Sequence, residues 1–289
     1  MSKNRIEELI EIFDRFDNDY KREEMDEAIT LREEITPHLI RILESIADDP
    51  EKYAEEKHYA NVYAVVLLAH FQEPAAHLPI IRAFALPRKQ QEELWGDMVT
   101  ATLPVLLFQT CNGRFDAIKE LVLNRKIDVY VRNAAVEAMT YGVARGMIER
   151  QEVVNFLRGL FTGGEAEEGS YFWSDIACAL ADLHPLESME TIRQAYAKGL
   201  IYPGVVGLEE IEKDARRGQE EMLLRLRKEA DRRIPGDIHG YLSWFASFRK
   251  GPPPEPLQVN HTAKAQQKKN KKNRSKSKLA KKTRKKNRR

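Results

Sequence analysis

The amino-acid sequence predicts an all-α fold, in which helical hairpins stack into an α-α superhelix (a solenoid) that is followed by a disordered basic tail. Three observations predict it. Apolar residues recur at helical spacing through residues 1–250, helical hairpins repeat every 35 to 39 residues, and the last 29 residues contain 15 Lys and Arg but no Asp or Glu. With 289 residues and 42% hydrophobic content, the chain is long and apolar enough to bury a sizeable core.

Two amphipathic helices precede the repeats. Apolar residues between Ile6 and Phe13 fall at i, i+3, i+4 and i+7, which places them on one side of a helix. Thr36 and Pro37 are the residue types preferred at the N-cap and at the first helical position. A second helix is therefore predicted to start there and to reach Ile46.

Helical hairpins form the repeated part of the chain, residues 59–198. In each hairpin an apolar helix ends at a turn, and a second helix follows. One apolar anchor from the second helix of each hairpin defines a period of 38, 39 and 35 residues: Ile80, Ile118, Leu157 and Ile192. This period is typical of solenoids, in which each pair buries its apolar face on its neighbours. The predicted hairpins span 59–84, 97–122, 129–161 and 170–197.

The third hairpin contains the most specific string of residues. The segment from Asp128 to Met139 resembles the D-x-x-V-R-x-x-A-x-x-A-L pattern of HEAT-like repeats, which implies a HEAT-like solenoid. Its small and branched residues permit close helix packing, while Asp128 and Arg132 are predicted to cap a helix and to pair between repeats. The string indicates a fold and no activity.

Three further strings resemble a known family. They span 61–71, 146–154 and 199–201. Over residues 4–247 the order of segments is similar to the bacterial domain-of-unknown-function family numbered 1186, and the resemblance implies HEAT-like helices without established catalytic residues. Members of that family often carry a Cys-rich SEC-C metal-binding motif at the C-terminus. The corresponding region here has no cysteine, so the resemblance does not extend to zinc binding.

Two charged helices are predicted after the last hairpin, at 208–217 and 219–233, and they are expected to cap it. After a Pro-Gly break, a stripe of aromatic residues at helical spacing starts at Tyr241 and includes Trp244. The stripe predicts either a helix that seals the end of the solenoid or an exposed helix that docks a partner.

A proline-rich linker, residues 251–260, separates the helical domain (1–250) from the tail (261–289). The tail has few aliphatic residues, so it cannot bury enough apolar surface to offset its ordering entropy and is predicted to be disordered. Its 15 basic residues leave 32 Lys and Arg against 45 Asp and Glu in residues 1–260, a net charge of −13. A basic tail therefore follows an acidic body.

The tail is predicted to bind phosphate backbones of RNA or DNA. Lys and Arg release condensed counterions from a polyanion, but a segment without aromatic residues does not stack on bases, so the binding is expected to be weak and non-specific. The predicted contacts are Lys268, Lys269, Lys271, Lys272, Arg274, Lys276, Lys278, Lys281, Lys282, Arg284, Lys285, Lys286, Arg288 and Arg289. Alternatives are a localisation, solubility or self-interaction element and, more weakly, contact with a membrane surface.

Two carboxylates stand out in the fourth hairpin. Asp175 and Asp182 are seven residues apart on a predicted helix and share a face, separated by about 10 Å at 1.5 Å per residue. With Trp173 nearby, they are candidates for binding a flipped base or a cationic peptide. Trp244 is a further candidate for partner contact. The separation is long for two acids that act together, which favours solvated or capping carboxylates over catalysis.

Motifs of enzymes and metal sites are absent from the sequence. There is no glycine-rich phosphate loop, no H-E-x-x-H and no G-x-S-x-G, and none of the seven histidines pairs with another at i+3 or i+4. Cys111 and Cys178 are too distant in sequence to predict a disulfide framework or a cysteine zinc site, which fits a reducing compartment. No apolar run resembles a signal peptide or a membrane span. We expect a cytoplasmic protein that does not insert into membranes, without catalytic residues, metal or cofactor.

The sequence thus predicts a non-catalytic scaffold or adaptor. It binds an unidentified protein partner through the surface of the helical repeats and RNA or DNA through the tail. A scaffold is favoured because helical repeats present extended surfaces and no catalytic motif is found. The alternative is an enzyme that acts on a nucleic acid or small molecule at the concave face of the solenoid.

Overall fold

A computed structural model describes residues 3–55, 58–167, 169–243 and 245. The chain divides into two units, Met1–Arg249 and Lys250–Arg289, and every described residue belongs to the first. All regular secondary structure in these residues is helical, which confirms the all-α prediction. The predicted linker and tail lie outside the described residues, as does Trp244.

The described residues form seventeen α-helices and two short 3₁₀ helices, joined by turns and loops. None of these helices is long and apolar enough to cross a membrane. The first nine α-helices are α1 (Lys3–Phe13), α2 (Arg22–Thr30), α3 (Arg32–Asp48), α4 (Pro50–Glu55), α5 (Ala60–His70), α6 (His77–Phe84), α7 (Arg88–Leu94), α8 (Met98–Ala101) and α9 (Leu103–Thr110). The others are α10 (Asp116–Leu123), α11 (Val129–Ala144), α12 (Arg150–Gly159), α13 (Phe172–Asp182), α14 (Met189–Ala197), α15 (Leu208–Ala215), α16 (Gln219–Arg233) and α17 (Ile238–Ser243). The 3₁₀ helices are Pro74–Ala76 and Leu186–Ser188.

The segments of the four predicted hairpins contain α5 and α6, α8 to α10, α11 and α12, and α13 and α14. Their pairing into hairpins stays a prediction, because α6 packs mainly on α3 and α9, and α10 packs mainly on α11, the first helix of the next predicted hairpin. The helices α5, α9, α11 and α13 pack side by side in chain order. The residues of α5 from Ala60 to Ala69 are all buried, because this helix has neighbours on every side. Side-by-side packing in chain order is what a row of hairpins requires, while the superhelix as a whole stays a prediction.

The helix predicted to start at Thr36 begins earlier. α3 starts at Arg32 and contains Pro37 in its second turn. Acidic residues occupy its first turn, where they interact favourably with the helix dipole, and Ile35 is fully buried. These gains outweigh the one backbone hydrogen bond that Pro37 removes.

The C-terminal helices do not all stay on the last hairpin. α15 packs on α13 and α14, as predicted for a capping helix, but α16 crosses α11 and α13. In and just before α17, Pro235, Ile238 and Tyr241 face side chains of α5 and α9. The Tyr241 hydroxyl also donates a hydrogen bond to Thr102 Oγ1 (2.8 Å). α17 therefore covers α5 and α9 of the first two predicted hairpins, while Trp244 and Phe248 of the predicted aromatic stripe lie outside the described residues.

Candidate functional site

An open groove of about 360 Å³ lies between α11 and α13, with α16 as its third wall. α13 contributes Asp175, Cys178 and Asp182, which share one face of the helix at i, i+3 and i+7. α11 contributes Asn133 and Glu137. The groove therefore contains both carboxylates that the sequence singled out, together with a third from the neighbouring hairpin. We refer to it as the acidic groove.

The alignment of α11 with α13 brings these side chains together. The two helices are the first helices of successive hairpins and run in the same direction. At one end of the groove Asn133 Nδ2 donates a hydrogen bond to Asp175 Oδ2. Farther along, Tyr141 is close enough to Asp182 for the charge of Asp182 to raise the pKa of Tyr141. Residues about 42 positions apart in the sequence thus become neighbours.

Asp175 is the more enclosed of the two predicted carboxylates. Burial raises its pKa to about 6. The hydrogen bond from Asn133 opposes this rise, and the nearby charge of Glu137 adds to it. At neutral pH the group is therefore ionised at an energetic cost to the folded protein.

Asp182 lies at the rim of the acidic groove and keeps contact with solvent. Desolvation by the surrounding helices raises its pKa to about 6, and the charges of Glu137 and Asp214 act in the same direction. Water nevertheless screens a carboxylate at the rim. Both carboxylates therefore titrate at higher pH than an ordinary aspartate, and Asp175 is the less exposed of the two.

Tyr141 and Cys178, two further groups of the acidic groove, keep their protons at neutral pH. The Tyr141 hydroxyl donates to Glu137 Oε1, and burial together with that carboxylate raises the pKa of Tyr141. Burial, and then the charges of Asp175 and Asp182, raise the pKa of Cys178 to about 12. Cys178 is therefore a thiol and not a nucleophilic thiolate. This arrangement offers acceptors to a cation.

Trp173 does not face the acidic groove. Its side chain is fully buried, with ring centroids 5.3 Å from Phe172 and 6.0 Å from Phe161. A buried indole presents no surface to a partner, which corrects the predicted contact through Trp173. The other predicted contacts, Trp244 and the basic residues of the tail, lie outside the described residues.

Asp128 and Arg132 support the fold. The Asp128 carboxylate accepts a hydrogen bond from the Tyr130 amide (2.9 Å) and caps α11, as predicted. Arg132 Nε donates to the Val122 carbonyl (2.8 Å), and its guanidinium lies 4.0 Å from the ring centroid of Phe172. Arg132 thus joins α11 to α10 and α13 through a carbonyl group and an aromatic ring.

A larger cavity, of about 660 Å³, lies near the N-terminus among α1, α3 and α4. The side chains that line this cavity carry charges of both signs. Among them, Asp14 Oδ2 lies 2.5 Å from His58 Nδ1. The same carboxylate accepts hydrogen bonds from the Tyr59 and Ala60 amides at the start of α5. Because these groups already hold the fold together, the acidic groove is the better candidate site.

No group of three or more His, Cys, Asp or Glu side chains in the described part of the chain is placed to hold a metal ion. His77 illustrates the role of the histidines. It is buried, its Nδ1 lies 2.9 Å from Thr110 Oγ1, and burial lowers its pKa to about 4. His77 is therefore a neutral histidine of the core.

Three residues of the acidic groove were missed from the sequence: Asn133 and Glu137 of α11 and Glu229 of α16. A signal for the first two exists, because they are polar residues four positions apart on a helix whose other residues are mostly buried. No such signal exists for Glu229, since α16 is charged along most of its length.

Fold and site together define an all-helical protein with an acidic groove among α11, α13 and α16. The chain belongs to the family described as "Protein of unknown function (DUF1186)", which matches residues 4–249 and confirms the resemblance found in the sequence. Two relatives, from Chlamydia muridarum and Chlamydia trachomatis serovar D, are each titled "Uncharacterized protein". Each is 27% identical over 192 residues, which cover 66% of this chain and 77% and 76% of the respective relative. No solved structure matches the chain significantly.

Proposed function

We propose that the helical body is a non-catalytic scaffold or adaptor whose acidic groove binds a cationic segment of a protein partner, and that the basic tail adds non-specific binding to RNA or DNA. The observation that carries the proposal is the convergence of Glu137, Asp175 and Asp182 on one groove. Glu229 also lines the groove, but its carboxylate already pairs with Arg232 and Arg233 of α16, so the first three carboxylates are the available ones. A groove of this charge attracts Lys and Arg side chains and repels phosphate groups.

The cost of ionising the groove explains why a cation would bind there. Ionised Asp175 is desolvated and close to Glu137, which is why its pKa is raised to about 6. A bound ammonium or guanidinium group supplies the missing opposite charge and donates charge-assisted hydrogen bonds. Cation binding and ionisation favour each other, so the affinity for a cationic peptide should rise from about pH 5 to about pH 7.

The aromatic residues near the groove favour a peptide over a nucleobase. Trp173, the predicted stacking surface, is buried. Tyr130 is partly exposed at the groove and offers a ring face over which a Lys or Arg side chain can pack. A Lys- or Arg-containing segment therefore satisfies both the carboxylates and the ring.

An enzyme is the alternative, and the raised pKa of Asp175 is the observation that favours it. A carboxyl group that titrates near neutral pH suits proton transfer. Turnover of a small molecule or nucleic acid by the full chain, abolished by Asp175→Asn, would replace the scaffold proposal with this one.

Removing charge from the acidic groove is expected to weaken binding of a cationic peptide. The probe is a fluorescent pentalysine peptide, titrated with the full chain and followed by fluorescence anisotropy. In the double variant Asp175→Asn, Asp182→Asn the dissociation constant should rise by about tenfold or more, because hydrogen bonds to charged groups contribute about 1.5–3 kcal/mol each.

The matched control for this experiment is the double variant Glu33→Gln, Glu34→Gln. These two carboxylates are exposed on α3, so the control has the same net charge with an intact groove. Its affinity for pentalysine should stay within about twofold of the unaltered chain. Equal losses in both double variants would mean that the peptide senses only overall charge, and the groove proposal would be wrong.

Truncation after residue 256 tests the role of the tail. The full chain is expected to bind RNA or duplex DNA with an affinity that falls steeply as salt increases, by a slope of about 0.9 for each neutralised duplex phosphate. The truncated chain should lose this binding, because the body carries the negative charge. Equal binding by both chains at every salt concentration would contradict the proposal for the tail.

A further inference from the structure

The last two helices reach back over the earlier hairpins. α16 lies on α11 and α13, and α17 lies on α5 and α9. We call residues 219–243, which contain both helices, the C-terminal strap. It covers a face formed by the first helices of the hairpins, the row that also provides two walls of the acidic groove.

The C-terminal strap buries a smaller share of its side chains than the helices beneath it. Of the 15 residues of α16, Met222, Leu226 and Ala230 are buried, and α17 buries Ile238 and Leu242, whereas α11 buries 12 of its 16 residues. The ion pair between Arg145 and Asp231 (2.8 Å) is exposed on both sides. Exposed ion pairs contribute little to stability, and elements with few buried contacts open before the rest of a protein.

His239 provides the polar attachment at the far end of the strap. The Asp26 carboxylate can only accept, so His239 Nε2 donates to its Oδ1 (2.9 Å). His239 Nδ1 lies 2.7 Å from the Tyr20 hydroxyl oxygen, within hydrogen-bonding distance. One imidazole thus joins α17 to two positions near the N-terminus, and the Tyr241 bond to Thr102 supports it.

The strap is also part of the acidic groove. Leu226 and Glu229 of α16 line it opposite α11 and α13. If α16 detaches, the groove loses one wall and one carboxylate. A cationic segment that binds Asp175 and also contacts α16 would, by the reciprocity of linked equilibria, hold the strap in place.

We propose that the C-terminal strap is a releasable element, held at its end by His239, and that its release removes one wall of the acidic groove and thereby weakens peptide binding. Release of the strap stands on the contacts of α16 and α17 alone. Only its regulation of peptide binding rests on the proposed function.

Hydrogen–deuterium exchange of the full chain, read by mass spectrometry, tests release without any ligand. Amides in peptides from 219–243 are expected to exchange at least about tenfold faster than amides in peptides from α11. The variant His239→Ala should accelerate amide exchange in the strap by a further factor of several. Tyr241→Phe, which removes one hydroxyl, should act in the same direction. His38→Ala on α3 is the control and should leave the strap unchanged.

The proposed release would be overturned if amides of the strap exchanged as slowly as those of α11. It would also be overturned if exchange in the strap were unchanged in both His239→Ala and Tyr241→Phe. Pentalysine peptide separates release from regulation. Protection of 219–233 by the bound peptide is expected. Binding without protection would contradict the regulatory role while the groove proposal survives. A labile strap in a chain that does not bind pentalysine would leave release supported and remove the proposed function.

Discussion

Replacing Trp173 by alanine is expected to lower the free energy of unfolding of the helical body by about 3–5 kcal/mol. The indole is fully buried in α13 and packs against Phe172 and Phe161. Alanine removes most of this apolar contact and leaves a cavity that the surrounding helices fill only in part. This is one of the largest effects expected from a single substitution in the body.

Urea unfolding followed by circular dichroism measures this loss, and Trp173→Phe is the informative comparison. Trp173 Nε1 has no hydrogen-bond partner among the described residues, so phenylalanine forfeits no paired polar group and leaves a smaller cavity. Its expected cost is below about 2 kcal/mol. Unchanged stability in Trp173→Ala, with weaker binding of a partner, would instead restore the role that the sequence suggested for this residue.

The orientation of Trp173 could have been predicted from helix geometry. Successive residues of an α-helix are rotated by about 100°, so Trp173 points about 200° away from Asp175. When Asp175 faces a groove, Trp173 must face the opposite side, which is the core. A residue can be close in sequence to a site and still point away from it.

Local patterns predicted the helices because each helix carries its own apolar face and ends at its own turn. They did not predict the path of α16 and α17, since their contacts join residues far apart in the chain. Tyr20 and His239, for example, are 219 positions apart and form one hydrogen bond. No periodicity in α17 encodes which surface it covers.

For the same reason, only the part of the acidic groove that lies on α13 could be predicted from the sequence. Asp175 and Asp182 share a helix face, which spacing alone shows. Their partners Asn133 and Glu137 come from the previous hairpin, and the offset of 42 between Asn133 and Asp175 differs from the 35 to 39 of the sequence repeat. Alignment by the repeat period would have placed the wrong residues opposite each other.

Replacing Asp175 by asparagine is expected to stabilise the body at about pH 8 by about 1–3 kcal/mol and to change little at about pH 4. In the folded protein burial raises the pKa of Asp175 to about 6, from an ordinary value of 3.8. Between these values the unfolded chain has lost the proton and the folded chain retains it. Unfolding then releases a proton, so the contribution of Asp175 to stability is present below about pH 4 and is lost as pH rises through about 6.

The expected stabilisation by Asp175→Asn follows from about 1.4 kcal/mol for each unit by which the pKa is raised. It is reduced because Asp175 keeps some access to solvent. Urea unfolding at several pH values measures it, with the exposed Asp97→Asn as the matched control. Identical pH dependence in Asp175→Asn and the unaltered chain would show that this carboxylate carries no such cost. The same substitution should weaken pentalysine binding. A carboxylate that lowers stability and raises affinity is what a binding site requires, because the cationic ligand compensates for the charge that folding leaves desolvated.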